Sequence, residues 1–474
     1  MTKQPCANIY NIPYNQNSCH YFERVRHLPY PVLLDSNAQA SNGRFDIISA
    51  APVSIISSSV DSSSLDRPCE SLFAKINDDI STYTTRDASH DSAPFVSGAI
   101  GVFSYDLGMQ LNQLKSKDNS AWPQLIVGIY QWAIVQDHQQ QQSWLLCDPK
   151  QEQATSEALL SAINNSEETN IAAARNNVNA FQLTSNWQSS VTAKNYQSLF
   201  NSAMNYIEQG DCYQVNFAQQ MSASYSGDSW QAYKQLRSVS PTPFAAYFET
   251  PQASLMSLSP ERFIQVQDNH VQTQPIKGTR KRGGSEQEDV KLMSELSGSE
   301  KDRAENLMIV DLMRNDLGKC CKQGSIKVPK LFQIETHPNV HHLVSTVTAE
   351  MSDTGVSASL SLLQNSLPGG SVTGAPKKRA MEIIDELESF SRSIYCGSVA
   401  YINNSGNMDS NILIRSLLLS KENAGAGDVN RDGEAGTIKC WGGGGIVADS
   451  KAELEYEESL QKIRNILEAL SKMR

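Results

Sequence analysis

The sequence predicts a mixed α/β or α+β fold, and three observations carry that prediction. Roughly the first 160 residues hold short β-like apolar runs separated by Gly, Pro and Asn. After residue 190, apolar residues recur at helical spacing in segments that begin or end with capping residues. Strand-like runs lie between those helices, and such alternation favours sheet and helix in one unit.

In the N-terminal part, Ala99–Tyr105 (AIGVFSY), Leu125–Trp132 (LIVGIYQW) and Trp144–Cys147 read as strands. From about 150 to 190 the chain turns to Gln, Asn, Ser and Ala, which suits a helix, a surface connection and an internal boundary. Two regions follow, 1–165 and 190–474, expected to fuse into one globular unit. Thr192–Gln209 has helical periodicity and stops at Gly210. Asp302–Asn315 alternates apolar and charged residues at helical spacing. Pro376–Leu387 opens on a proline suited to a first turn. Ser450 and Glu453 form a capping box for a last helix towards Met473. The later strand candidates are Ala253–Leu258, Phe263–Val266, Val340–Thr348, Ser398–Ile402 and Asn411–Leu419. Residues 421–436 (KENAGAGDVNRDGEAG) read as an exposed, mobile hairpin loop.

The 474 residues suffice for a large core, and 39% apolar with 19% charged residues is ordinary for a globular protein. A net charge of −11 argues against a nucleic-acid binder, although a local pocket can still be positive. Nine irregularly spaced cysteines without a CxxC pair read as free thiols in a reducing compartment. The N-terminal residues hold no signal-like apolar run, and nowhere does an apolar stretch reach the ~18–20 residues of a membrane span. A cytoplasmic protein that does not insert in membranes is the expectation.

Several residues could carry chemistry. Asp302 and Glu305 share one helical face, as do Glu455, Glu458 and Lys462. Carboxylates from two helices facing one point would suit Mg²⁺, which takes few protein ligands; two solvated faces fit the same spacing. Gly442–Gly445 could let the backbone approach an anion or could form a flexible turn. The run from Pro368 to Lys377 leads into a helix, whose N-terminus can hold an anion. Arg415, in a strand-like run, reads as an ion-pair partner or a carboxylate ligand. Lys277 is a surface charge or, if desolvated, a nucleophile. Glu261 is a general acid or the partner of Arg262, and His342 by default sits in the core.

Taken together and in order, these segments become recognisable. SLSPERF (257–263), PIKGT (275–279), DRAENLMIVDLMRND (302–316), HHLVS (341–345), PGGSVTGAPK (368–377), CGSVAY (396–401), ILIRS (412–416), GGGGIVADS (442–450) and EYEESLQK (455–462) resemble the chorismate-utilising enzymes. LLDS (33–36) and RFDI (44–47) extend the resemblance over nearly the whole chain. It implies a single large unit like anthranilate synthase component I, with two antiparallel sheets packed as a sandwich and flanked by helices. It further implies Mg²⁺ on Glu305 and Glu458, with Asp302 and Glu455 behind them, holding the ring carboxylate of chorismate. Arg415, Gly443, Gly444, Gly445, Tyr395 and Lys462 would grip the enolpyruvyl carboxylate. Thr373 and His342 would line the ring and the departing C4 hydroxyl, beside Gly278 and Thr279.

Two positions separate the members of the family. Gln214 stands where isochorismate- and salicylate-forming members have a Lys base, and a neutral amide cannot take a proton from water. Lys277 replaces the Ala of anthranilate-forming members and matches those that make 4-amino-4-deoxychorismate, the precursor of p-aminobenzoate and folate. The resemblance then implies that Lys277 attacks C2, that Glu261 protonates the leaving hydroxyl, and that ammonia adds at C4. The chain shows no glutaminase motif, so ammonia is expected from a separate glutamine amidotransferase in a heterodimer. Ser36, Phe45, Tyr213 and Pro243 match a pocket that holds tryptophan in some members. Anthranilate formation and a non-catalytic, amino-acid-binding regulatory subunit are the rivals. Lys277 speaks against the first, and the acids, Arg415 and Glu261 against the second.

Overall fold

Neighbouring residues along single strands divide between two hydrophobic cores, which is the signature of a sheet covered on both faces. In the computed structural model, Val32, Ile47, Val135, Leu146 and Leu255 face one core, while Leu33, Ile48, Ile134, Leu145 and Met256 face the other. The structure describes residues 7–473 except 39, 41–42, 59–68, 87–89, 91–92, 118–121, 165–179, 338–339 and 423–434. Among the described residues the strands form one sheet of 13 and one of ten, with antiparallel pairing. The first core fills the space between the sheets. The second lies under helices on the outer face of the larger sheet, where Phe22, Trp230, Tyr233, Ile463 and Leu470 cover it. This is the expected two-sheet sandwich with helices outside.

The sheets draw strands from both ends of the chain. Val32–Asp35 pairs with Phe244–Glu249, and Gly98–Phe103 pairs with Ser398–Asn403. From Val32–Asp35 the larger sheet continues through Phe244–Glu249, Ala253–Ser259, Ser416–Lys421 and Ala435–Ile446 to Gln214–Ser226. Thr192 caps the helix Ala193–Glu208 by accepting from the Asn195 N–H at 3.2 Å. Ser299 does the same for Glu300–Gly318, accepting from Asp302 N at 3.2 Å. The helices Lys377–Leu387 and Ala452–Ser471 are also present. Among the described residues, no helix is long and apolar enough to cross a membrane.

Some expectations are corrected. Asn411–Leu419 is not one strand: pairing ends at Asn411 and resumes at Ser416, with Arg415 at φ +52 between them. Gly442–Gly445 is no turn, since it lies inside Ala435–Ile446 and pairs residue by residue with Gln214–Ser226. The capping box does not form. Ser450 Oγ donates to Glu455 Oε1 at 2.7 Å, and Lys451 opens the last helix without a side-chain cap. Pro376 precedes its helix in an extended conformation rather than in the first turn. Most of the expected 421–436 loop, residues 423–434, lies outside the described residues. So does Cys6; the eight other cysteines are free thiols.

Candidate active site

At one edge of the sandwich, Ile276–Lys281, Glu300–Gly318, Gly442–Gly445 and Ala452–Ser471 surround a cleft of about 840 Å³. Lys277 enters from the first of these and donates from Nζ to the Ser371 carbonyl at 3.2 Å. Burial drives its pKa below the ordinary lysine value and Lys462 pushes the same way, against the attraction of Glu305, Glu261 and Glu458. Glu261, only 6% exposed, faces the same cleft. Burial raises it to about 7 in spite of Lys277, the Ser371 side chain and the Ile276 N–H, each of which favours its charged form. Glu261 is not the partner of Arg262, which pairs with Asp409 at 3.0 Å. A carboxyl pushed up beside an amine pushed down is how a site separates acid from base near neutral pH.

Arg415 lines the cleft, and its guanidinium makes no hydrogen bond or salt bridge among the described residues. Burial lowers its pKa, opposed by Glu261, yet a guanidinium stays charged, so it is available to an anion. The glycine strand opposite leaves no room for a side chain at two of its positions. A Cβ on Gly443 would fall 2.8 Å from both Phe217 O and the Tyr395 hydroxyl, and one on Gly445 2.8 Å from Gln214 Nε2. Lys462 Nζ donates to Gly443 O at 2.9 Å and pairs with Glu458 at 2.9 Å. Tyr395 stacks on Trp441 with ring centroids 6.1 Å apart. His342 lines the cleft, with Nδ1 2.9 Å from Thr279 Oγ1. Burial, with His337, Arg415 and His341 nearby, holds it down to about 3, so the imidazole is neutral.

The four acids gather at the cleft mouth. Burial raises Glu305, with Asp302 and Glu455 adding to it and Lys277 and Lys301 opposing. Burial would also raise Glu458, but Lys462, Lys301 and Lys277 outweigh it and hold that carboxyl below its ordinary value. Lys301 Nζ lies 3.5 Å from Glu455 and 3.9 Å from Glu305. Asp302 pairs with Arg280 at 3.0 Å and lies against Gly278, where a Cβ would meet its Cγ at 2.8 Å and where φ is +76. These residues fit a hard divalent cation. A Cβ on Gly444 would be in ordinary contact with Glu455 Oε2 at 3.4 Å, Lys462 Nζ at 3.7 Å and Glu458 Oε1 at 3.8 Å, so these groups face the glycine strand together. Among the described residues no three His, Cys, Asp or Glu gather closely enough to hold a metal by themselves.

Three expected residues lie elsewhere. Thr373 is fully buried and spends its hydroxyl on Gly369 O at 3.0 Å, behind the wall rather than in the cleft. Gln214 is buried behind Gly445, and neither of its amide atoms is hydrogen-bonded among the described residues. Ser36, Phe45 and Pro243 line a second cavity of about 620 Å³ together with Arg262. Tyr213 does not join them. It is 72% exposed at the start of Gln214–Ser226, five strands from Val32–Asp35, or ~24 Å at ~4.8 Å per strand. Sequence reasoning missed Ser371, Lys301 and Arg280, all of which touch the acids or the lysine. Lys301 could have been flagged, since it stands four residues before Glu305 on one helix.

A family profile described as chorismate binding enzyme matches residues 31–468. Aminodeoxychorismate synthase component 1 of Escherichia coli strain K12 is 42% identical over 465 residues, covering 95% of this chain and 96% of that protein. The protein of the same name from Bacillus subtilis strain 168 is 32% identical over 462 residues, covering 95% and 94%. The crystal structure of anthranilate synthase component I from Streptococcus pneumoniae TIGR4 is similar at a TM-score of 0.72 and 26% identity, over 90% of this chain and 92% of that one. The residues lining the cleft all fall within the matched span, and the chain belongs to the chorismate binding enzyme family.

Proposed function

We propose that the chain is the chorismate-converting component of an aminodeoxychorismate synthase, transferring an amino group from ammonia to C4 of chorismate to give 4-amino-4-deoxychorismate. One observation carries the choice among family reactions: an amine with a lowered pKa, Lys277, in a cleft with a carboxyl raised to about 7. Full-length likeness to proteins named for this reaction supports it.

The neutral Lys277 amine attacks C2, the two ring double bonds each shift by one carbon, and the C4–O bond breaks. Glu261 gives its proton to the departing hydroxyl, which leaves as water. Ammonia then adds at C4, the double bonds shift back, and the C2–N bond breaks with its electron pair returning to Lys277. The Glu261 carboxylate takes back a proton from the new C4 ammonium. Chorismate and ammonia thus become aminodeoxychorismate and water, with both residues restored. Arg415 and the Gly443–Gly445 backbone, with Lys462 and Tyr395, bind the enolpyruvyl carboxylate, and neutral His342 faces the ring with Thr279 and Gly278. Mg²⁺ on Glu305 and Glu458, with Asp302 and Glu455 behind them, would supply positive charge for the ring carboxylate. Ammonia would come from a separate glutamine amidotransferase subunit, in the cytoplasm. The second cavity would hold a tryptophan-like ligand on Ser36, Phe45 and Pro243.

The test is product identity. The pure chain is incubated with chorismate, Mg²⁺ and an ammonium salt at mildly alkaline pH, and the products are analysed by mass spectrometry. Aminodeoxychorismate should form, and should not form when a chelator replaces Mg²⁺. Anthranilate or isochorismate alone would overturn the proposal.

A further inference from the structure

Lys277 Nζ donates to the Ser371 carbonyl at 3.2 Å, its one hydrogen-bond acceptor among the described residues. An amine held by a single N–H directs its lone pair only as well as the accepting oxygen is fixed. Ser371 lies in a short 3₁₀ turn, Gly370–Val372, which belongs to neither sheet and so has no strand ladder to hold it. The turn is pinned one residue further on. Val372 O accepts from Asn216 Nδ2 at 2.7 Å and from Arg392 Nη1 at 3.0 Å.

Arg392 is 2% exposed and stands outside the cleft, yet all five of its N–H groups have acceptors. Nε and Nη2 grip the two oxygens of Glu388 at 2.9 and 2.6 Å. Nη2 also donates to Asn216 O at 2.6 Å, and Nη1 is shared between Val372 O and Cys396 Sγ, the latter at 3.7 Å. Glu388 Oε1 in turn accepts from Ala218 N at 2.8 Å. Asn216 and Val372 both line the cleft, so the guanidinium joins two of its walls through their carbonyls. The two walls depend on it unequally. Asn216 belongs to Gln214–Ser226, which pairs with Ala435–Ile446 from Val215 to Ser226 and keeps its place without Arg392. The turn has no such support.

We infer that Arg392 is a positioning residue for the nucleophile: it clamps the Val372 carbonyl to the Asn216 strand, so that the adjoining Ser371 carbonyl holds Lys277 in line with the ring. The inference rests on the role proposed above for Lys277. Substrate binding should depend on it little. Arg415, Gly443–Gly445 and Lys462 make no hydrogen bond to Arg392 among the described residues, and Tyr395, whose ring lies 5.7 Å from the guanidinium, keeps its stack on Trp441.

The test is the rate at which the Lys277 adduct forms in a single turnover. Wild type and Arg392→Met are mixed with Mg²⁺ and excess chorismate without ammonia, quenched in acid at successive times, and read by intact-protein mass spectrometry. A share of misfolded chains lowers the amplitude of adduct but not its rate constant, so a merely structural defect leaves the rate constant unmoved. Arg392→Met should lower the rate constant ~10–100-fold, with the half-saturating chorismate concentration within ~3-fold of wild type, because orientation and not binding is lost. Should the single variant fail to fold, its buried Glu388 being left uncompensated, Arg392→Met/Glu388→Gln removes both charges, retains an acceptor for Ala218 N and carries the same expectation. A wild-type rate constant in the folded variant overturns the inference alone, and so does a loss that excess chorismate restores. Absence of any adduct in wild type overturns the Lys277 reading and this inference with it.

Discussion

Glu261→Gln should abolish turnover and at the same time make the folded chain more stable above neutral pH. The carboxyl is 6% exposed and is raised from an ordinary 4.5 to about 7, mainly by burial. Below pH 4.5 it is protonated in both folded and unfolded chains and contributes nothing to the balance. Between 4.5 and 7 the unfolded chain gives up its proton while the folded chain keeps it, so stability falls as pH rises. Above 7 the full cost stands, ~3.4 kcal/mol at ~1.36 kcal/mol per pH unit. Glutamine has nearly the same shape and never ionises, so the variant escapes this cost. Urea unfolding of both chains without metal, at about pH 4 and about pH 8, measures it. The variant should gain ~2–3 kcal/mol at the higher pH and almost nothing at the lower. Equal midpoints at pH ~8, or a gain that is the same at both pH values, would refute the reasoning and with it the claim that burial raises this carboxyl.

Two further predictions concern the walls of the cleft. Arg415→Met should raise KM for chorismate ~10–100-fold, the value of a charge-assisted hydrogen bond, with a smaller effect on kcat; unchanged KM in steady-state assays would remove Arg415 from substrate binding. Gly443→Ala should lower the unfolding temperature clearly more than Gly444→Ala. The added methyl in the first meets Phe217 O and the Tyr395 hydroxyl at 2.8 Å, whereas in the second nothing lies closer than 3.4 Å.

Much of the fold is legible in the sequence where local signals agree with tertiary structure. Thr192 followed by an amphipathic run and Gly210 gives a helix, and uniformly apolar Leu125–Tyr130 gives a strand covered on both faces. Legibility fails where packing overrides composition. Four successive glycines read as a turn, yet they form a strand because Phe217 O, the Tyr395 hydroxyl and Gln214 occupy the space that side chains would need. Ile412–Ser416 reads as continuous strand, but Arg415 takes a left-handed conformation in a break in the pairing. Helix Glu286–Gly298 gave no apolar stripe to read, since only Leu296 is buried along it.

At the site, the acids, Lys277, Glu261 and Arg415 stand out by charge within recognisable segments, and they line one cleft. The residues that hold them do not stand out. Ser371 meets Lys277 through a carbonyl, which every residue has. Thr373 and Tyr213 carried suggestive side chains that the backbone turns to other uses.

The central claim is that the Lys277 nitrogen bonds to the ring of chorismate. Intact-protein mass spectrometry tests it most directly, on acid-quenched mixtures of chain, Mg²⁺ and chorismate with no ammonia supplied. The account predicts a species heavier than the protein by chorismate less one water, mapped to Lys277, missing in Lys277→Ala and discharged when ammonium is added. Turnover to aminodeoxychorismate by Lys277→Ala at a near wild-type rate, with no adduct in either chain, would contradict it.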